Sequence, residues 1–204
     1  MKLPKPIRKL IAPIRNRLKM AMLYFRKSDF SSKIFCIGYN KTGTSSLGTA
    51  LSGFGFKHSS FNRIIYRNFY LKKKYDKIIW YTSKFESFDD LPWLKEDMIP
   101  KLDKAFPSSK FIYLHREEED WIKSFESYSL KKKGIRPNMK KELLSYKKHE
   151  RFVREYFKNW PENRFIELNI KDDLGAKKLS KFLSVKKPIE SFPHKNKTAD
   201  FKRN

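Results

Sequence analysis

"CIGYNKTGTSSL", residues 36–47, decides how the rest of the chain is read. It starts inside an apolar run, KIFCIG (33–38), short enough for a buried strand. It ends where Leu47, Ala50, Leu51 and Phe54 take up helical spacing. Between strand and helix, Gly38 and Gly43 enclose four residues, with Lys41 ahead of the second glycine and Thr44, Ser45 and Ser46 behind it. Gly43 permits close approach of backbone to a ligand. The amides of Thr44, Ser45 and Ser46 then stand at the positive end of a helix dipole, where phosphate-like anions bind. A ligand-free glycine turn would explain the spacing, but not the lysine and hydroxyls gathered around it.

Outward from this loop, apolar runs alternate with helical patterns. GFKHS (55–59), DKIIWYTS (76–83), KFIYLH (110–115) and RFIELNI (164–170) read as further strands, and FESFDDLPW (85–93) as a loop. Residues 60–73 are basic and aromatic with poor periodicity. DMIPKLDKAF (97–106), with Pro100 near its start, EEEDWIKSFESYSL (117–130), KKELLSYKKHERFVREYFKNW (140–160) and LGAKKLSKFL (174–183) read as helices, and KKKGIRPN (131–138) as a basic loop. The acidic first turn of the 117–130 helix suits its dipole. This alternation predicts an α/β fold, a parallel β-sheet of the P-loop type flanked by helices. A chain of 204 residues can bury one such core. The expected division is a basic leader, residues 1–30, and one domain, 31–204.

Charge narrows the partners. Forty-seven Lys and Arg against twenty-two Asp and Glu leave a formal net charge of +25, which points to polyanions: phosphorylated cofactors, acidic glycans, nucleic acid or anionic lipid. Aromatic residues make up 16% of the chain, against a disordered basic protein. The single cysteine, Cys36, lies in an apolar run and reads as a buried small hydrophobe. A lone cysteine excludes a disulfide within the chain and fits a reducing compartment, so a cytoplasmic location is expected. No stretch reaches bilayer-spanning length, and the basic start has no signal-type core. Within the leader, Ile14, Leu18, Ala21, Met22 and Phe25 recur at helical spacing among Arg15, Arg17, Lys19 and Arg26, an amphipathic pattern suited to peripheral membrane contact. A leading helix packed on the domain, or a mobile tail, fits the same pattern.

A second segment joins the loop. KFIYLHREEEDWIKSF (110–125) is a strand ending at Arg116, then a helix with Ser124 eight residues on. Arginine can grip phosphate bidentately, and the hydroxyl two helical turns later can add a bond. NKTGTSSL resembles the 5′-phosphosulfate loop of the sulfotransferases, which use 3′-phosphoadenosine 5′-phosphosulfate (PAPS). KFIYLHREEEDWIKSF resembles the 3′-phosphate motif of the same family. LSGFGFKHSS (51–60), FDDLPWLKED (88–97), FPSSKFIYLHRE (106–117) and KLSKFLSVKKPIESFPHKNK (178–197) are similar to further stretches of one branch. The leader lies outside the resemblance. Glu117 and Glu118 stand where the family often has Asp-Pro, Ala176 follows Gly175 where tryptophan is common, and no glycine-rich adenine-side loop is recognisable.

The resemblance implies a sulfotransferase that moves sulfate from PAPS to a hydroxyl or amine acceptor, with no metal. Asn40, Lys41, Thr42, Gly43, Thr44, Ser45 and Ser46 would hold the 5′ side of the cofactor, and Arg116 and Ser124 its 3′-phosphate. Lys41 would stabilise charge on the departing oxygen. His58 is the first candidate for the base that takes the acceptor proton, and Asp90 the second. His115 reads as a strand-end residue and His149 as solvated among charges. His194 has no assigned role. The basic surface suits an acidic glycan or a lipid as acceptor. Two alternatives stay open. A P-loop kinase expects lysine after the second glycine, where Thr44 stands, and an acid ending a neighbouring strand, which KIIWYTS and FIYLH lack. A non-catalytic binder of polyanions would use Lys72–Lys74, Lys131–Lys133 and the aromatics Tyr66, Phe69 and Tyr70, although no RNA-binding signature is present.

Overall fold

The computed structural model describes residues 5–193. At its centre β1 (Ile34–Cys36) alternates its side chains between the two faces of a sheet, as the pleat requires. Phe35 and Ile37 enter one core, and Ile34 and Cys36 the other. Residues 110–115 form β4, where Phe111 and Tyr113 share the first core, and Ile112 and Leu114 the second. With β2 (His58–Ser59), β3 (Ser87–Phe88) and β5 (Phe165–Asn169), they make a five-stranded sheet of order β2-β3-β1-β4-β5. Every pairing is parallel. Register aligns Phe88, Phe35 and Phe111 across three strands. Their ring centroids lie 5.3 and 5.2 Å apart, so one aromatic row ties the sheet centre together.

A parallel sheet must be covered on both faces. The second core lies beneath α2 (Thr44–Gly53) and α7 (Gly175–Leu183). The first lies beneath α3 (Tyr75–Thr82), α4 (Ile99–Ala105) and α6 (Met139–Tyr156), together with the buried Trp93. α5 (Glu118–Tyr128) packs through Trp121 and Phe125 against Tyr146 of α6, and runs directly into a wide π turn, Ser129–Lys133. Ahead of the sheet, α1 (Lys5–Tyr24) lays Met20 and Leu23 on the first core. Cys36 is fully buried in the second core.

Three expectations are corrected. Residues 76–83 form no strand: they belong to helix α3, whose buried Ile78, Tyr81 and Thr82 share one helical face. Its β-branched and aromatic composition favoured a strand locally, and packing overrode it. The strand beside β1 lies instead in the segment read as a loop, at Ser87–Phe88, too short to show any alternation. His149 is not solvated: α6 buries it, and its Nε2 lies 2.7 Å from the Ile37 carbonyl oxygen. Burial holds its imidazole below the usual histidine range. His194 lies outside the described residues.

Candidate functional site

In an open parallel sheet, ligands bind beyond the carboxyl ends of the strands. Here the segments following β1, β3, β4 and β5 meet there around a cleft of about 1570 Å³. Asn40, Lys41, Gly43, Thr44, Ser45, Ser46, Asp90, Arg116 and Ser124 all line it. Two of the residues picked out in the sequence do not. Thr42 is buried with its hydroxyl donating to the Tyr39 carbonyl at 2.7 Å, so it braces the loop from inside. His58 lies elsewhere, as described below.

The loop backbone is held in an unusual shape. Lys41 has φ 72° and Gly43 φ 108°, both in the left-handed region. For lysine this is strained, and such strain persists only where neighbours over-determine it. They do so here by gripping the loop carbonyls: Trp121 Nε1 donates to the Asn40 oxygen at 2.7 Å, and Arg116 Nη1 to the Lys41 oxygen at 3.1 Å. Trp121 is itself stacked on Tyr146, with centroids 4.6 Å apart. The second glycine is required sterically as well, because a Cβ there would sit 2.6 Å from Ile170 Cδ1.

α2 then begins with no side-chain cap. The amides of Thr44 and Ser45 have no acceptor among the described residues, and they face the cleft at the positive helix end. The Ser46 amide departs from expectation, since it donates to the Gly43 carbonyl at 2.9 Å. Lys41 reaches over the ring of Tyr128 at 4.4 Å, and Lys132 approaches the same ring at 5.1 Å. Burial, then the charges of Arg116 and Lys132, pull the Lys41 ammonium below its usual range. Among the described residues no carboxylate is paired with Lys41. At the rim, by contrast, Asp120 is paired with Lys171 at 2.5 Å and Asp172 with Lys178 at 2.8 Å. Around the loop, therefore, Lys41, Arg116 and Lys132 gather three cations at one end of a cleft of mixed charge, and that end favours an anionic group. Tyr128 was not singled out in the sequence, and Lys132 only as part of the Lys131–Lys133 run of the polyanion-binding alternative. The π turn brings Lys132 to the cleft.

The two candidate bases part company. Asp90 opens onto the cleft beside the loop, at φ 64°, with Oδ1 accepting from the Leu91 amide at 2.6 Å. Burial raises its carboxyl above the usual range. His58 is hydrogen-bonded at one nitrogen: Nδ1 lies 2.9 Å from Ser87 Oγ, whereas Nε2, 3.3 Å from the buried Asp89 Oδ1, has no hydrogen-bond partner among the described residues. Its exposed edge lines a smaller cleft, about 690 Å³, between α1 and residues 58–64. Phe61 lines both clefts.

A family profile described as a sulfotransferase domain matches residues 33–140 and 128–201, spanning the loop, Arg116 and Ser124. The chain belongs to the sulfotransferase family. No curated protein matches it. α1 precedes the matched region of this sulfotransferase domain. Family membership also resolves the kinase alternative, whose argument from sequence needs amending. The strand beside β1 does end in acids, Asp89 and Asp90. What separates this loop from an ATP loop is Thr44 after the second glycine, with Lys41 ahead of it. The aromatics that suggested nucleic acid are spent on packing: Tyr66 stacks on Tyr70, Tyr70 donates to Asp97, and Phe69 lies on the first core.

Proposed function

We propose that this sulfotransferase domain uses PAPS as donor and transfers its sulfuryl group to a hydroxyl or amine acceptor. One observation carries the reading: Lys41, the uncapped start of α2 and the Arg116–Ser124 pair, from segments 75 residues apart, line a single cleft. That cleft suits a nucleotide with phosphates on both sides of its ribose. Among the described residues Arg116 Nε is buried without a partner, and Lys41 is crowded by cations with no paired carboxylate, so both gain when an anion binds.

In this reading Thr44 and Ser45 offer amides and hydroxyls to the 5′ side, with Asn40 at the cleft wall. Lys41 stabilises the negative charge that grows on the 5′-phosphate oxygen as the bond to sulfur breaks. In this reading the lysine stands ahead of the turn because it serves that oxygen rather than a terminal phosphate. Arg116 and Ser124 hold the 3′-phosphate. Asp90 takes the acceptor proton on Oδ2, since Oδ1 is occupied by the Leu91 amide. His58 acts at one remove, its ring standing 3.3 Å from Asp89, the residue before Asp90. The +25 charge supports an acidic acceptor, a glycan or an anionic lipid headgroup. Transfer of labelled sulfate from PAPS across an acceptor library tests both parts. Acidic acceptors should be labelled; exclusive use of neutral phenols would remove the acceptor assignment, and no transfer to any acceptor would count against the activity.

A further inference from the structure

α1 carries two apolar faces, and the domain uses only one. Met20 and Leu23 lie on the first core, and the Tyr24 ring stands 4.7 Å from Trp80. On the other side Ile14 and Leu18 are 63% and 61% exposed, and Met22, four residues on and 70% exposed, continues the row to the edge of the cleft beside residues 58–64. Ile7 precedes them on the same line, and Phe25, just past the helix end, is 92% exposed. Single exposed apolar side chains are ordinary; a row over three turns of a helix is not. Arg15 and Arg17 flank the row on either side and are exposed, as is Lys19. The chain just after α1 is strapped to the domain. Arg26 Nη1 donates to the Lys84 carbonyl, and the buried Lys84 ammonium donates to the Arg26 carbonyl and Ser28 Oγ, both at 2.7 Å.

Charge decides what covers this face. No acidic residue occurs before Asp29, so residues 1–28 are cationic throughout. A second copy, itself at +25, would set arginine against arginine. No helix among the described residues is long and apolar enough to cross a membrane. We infer that α1 lies in the plane of an anionic bilayer surface, its apolar row at the acyl boundary and Arg15, Arg17 and Lys19 among the headgroup phosphates. The helix lies outside the family match, so this docking is separate from donor binding.

Co-sedimentation of the full chain with phosphatidylcholine vesicles, with and without phosphatidylserine, tests it. The chain should sediment with the serine-containing vesicles. The triple variant Ile14→Ser, Leu18→Ser, Met22→Ser should bind them at least about tenfold more weakly. Its melting temperature and its affinity for adenosine 3′,5′-bisphosphate should be unchanged, because these side chains are exposed. Lys72→Gln, Lys73→Gln, Lys74→Gln removes three charges elsewhere and should matter less than the apolar triple. Absence of wild-type binding would overturn the inference. So would an apolar triple that binds like wild type, since the attraction would then be generic charge. Self-association that needs the row, without vesicle binding, would also overturn it.

Discussion

Lys41 and Asp90, which face the cleft from adjacent strands, are both held in left-handed backbone conformations that side chains normally avoid. Their strain is maintained by bonds to the loop carbonyls and by the Leu91 amide. Lys41→Ala should lower turnover about 10²- to 10³-fold with the fold intact, the usual cost of removing one donor to a developing oxyanion. Near-normal turnover would remove Lys41 from the chemistry. Asp90→Asn should cost about 10²- to 10⁴-fold, and His58→Asn clearly less, because His58 faces away from the main cleft. The reverse order would restore His58 as base. The raised Asp90 carboxyl has two consequences of definite sign. A base must be ionised, so the acid limb of the rate profile should fall above the ordinary carboxylate range. A carboxyl whose folded value is raised stabilises the fold at low pH and loses that contribution as pH rises through it. Asp90→Asn should therefore raise the melting temperature at neutral pH while reducing activity.

At the scale of elements, the loop depends on glycines with defined neighbours. Gly43→Ala would meet both the positive φ and Ile170, and should destabilise by more than about 1 kcal/mol and weaken anion binding. Gly48→Ala would place a Cβ 2.6 Å from His58 Nε2 and 3.0 Å from Asp89 Oδ2, and should cost about 1–3 kcal/mol in chemical denaturation. The elements legible in the sequence were those with long periodic runs and clear punctuation: the 36–47 loop, β4 with Arg116 at its end, and helices α5, α6 and α7. β3 was not legible, because two residues cannot show a period, and its absence from the reading hid the acids beside β1. Residues 76–83 misled because short β-branched runs fit a strand and a helix equally well until packing chooses. His149 could have been found, since Tyr146, His149 and Val153 follow the buried face of α6 at steps of three and four. Lys132 could not, because its place depends on the π turn.

Across the whole molecule, the 36–47 loop and the Arg116–Ser124 segment are brought together by a sheet that sets β1 beside β4. Neither the loop nor Arg116 with Ser124 would hold a nucleotide firmly alone; the fold makes them one site. Calorimetric titration with adenosine 3′,5′-bisphosphate, against the 5′- and 3′-monophosphates, at moderate salt and without Mg²⁺, tests this most directly. The bisphosphate should bind at least about tenfold more tightly than either monophosphate, and Arg116→Ala should abolish its advantage over the 5′-monophosphate. Equal binding of all three nucleotides, or binding that vanishes with salt for every one of them, would contradict it.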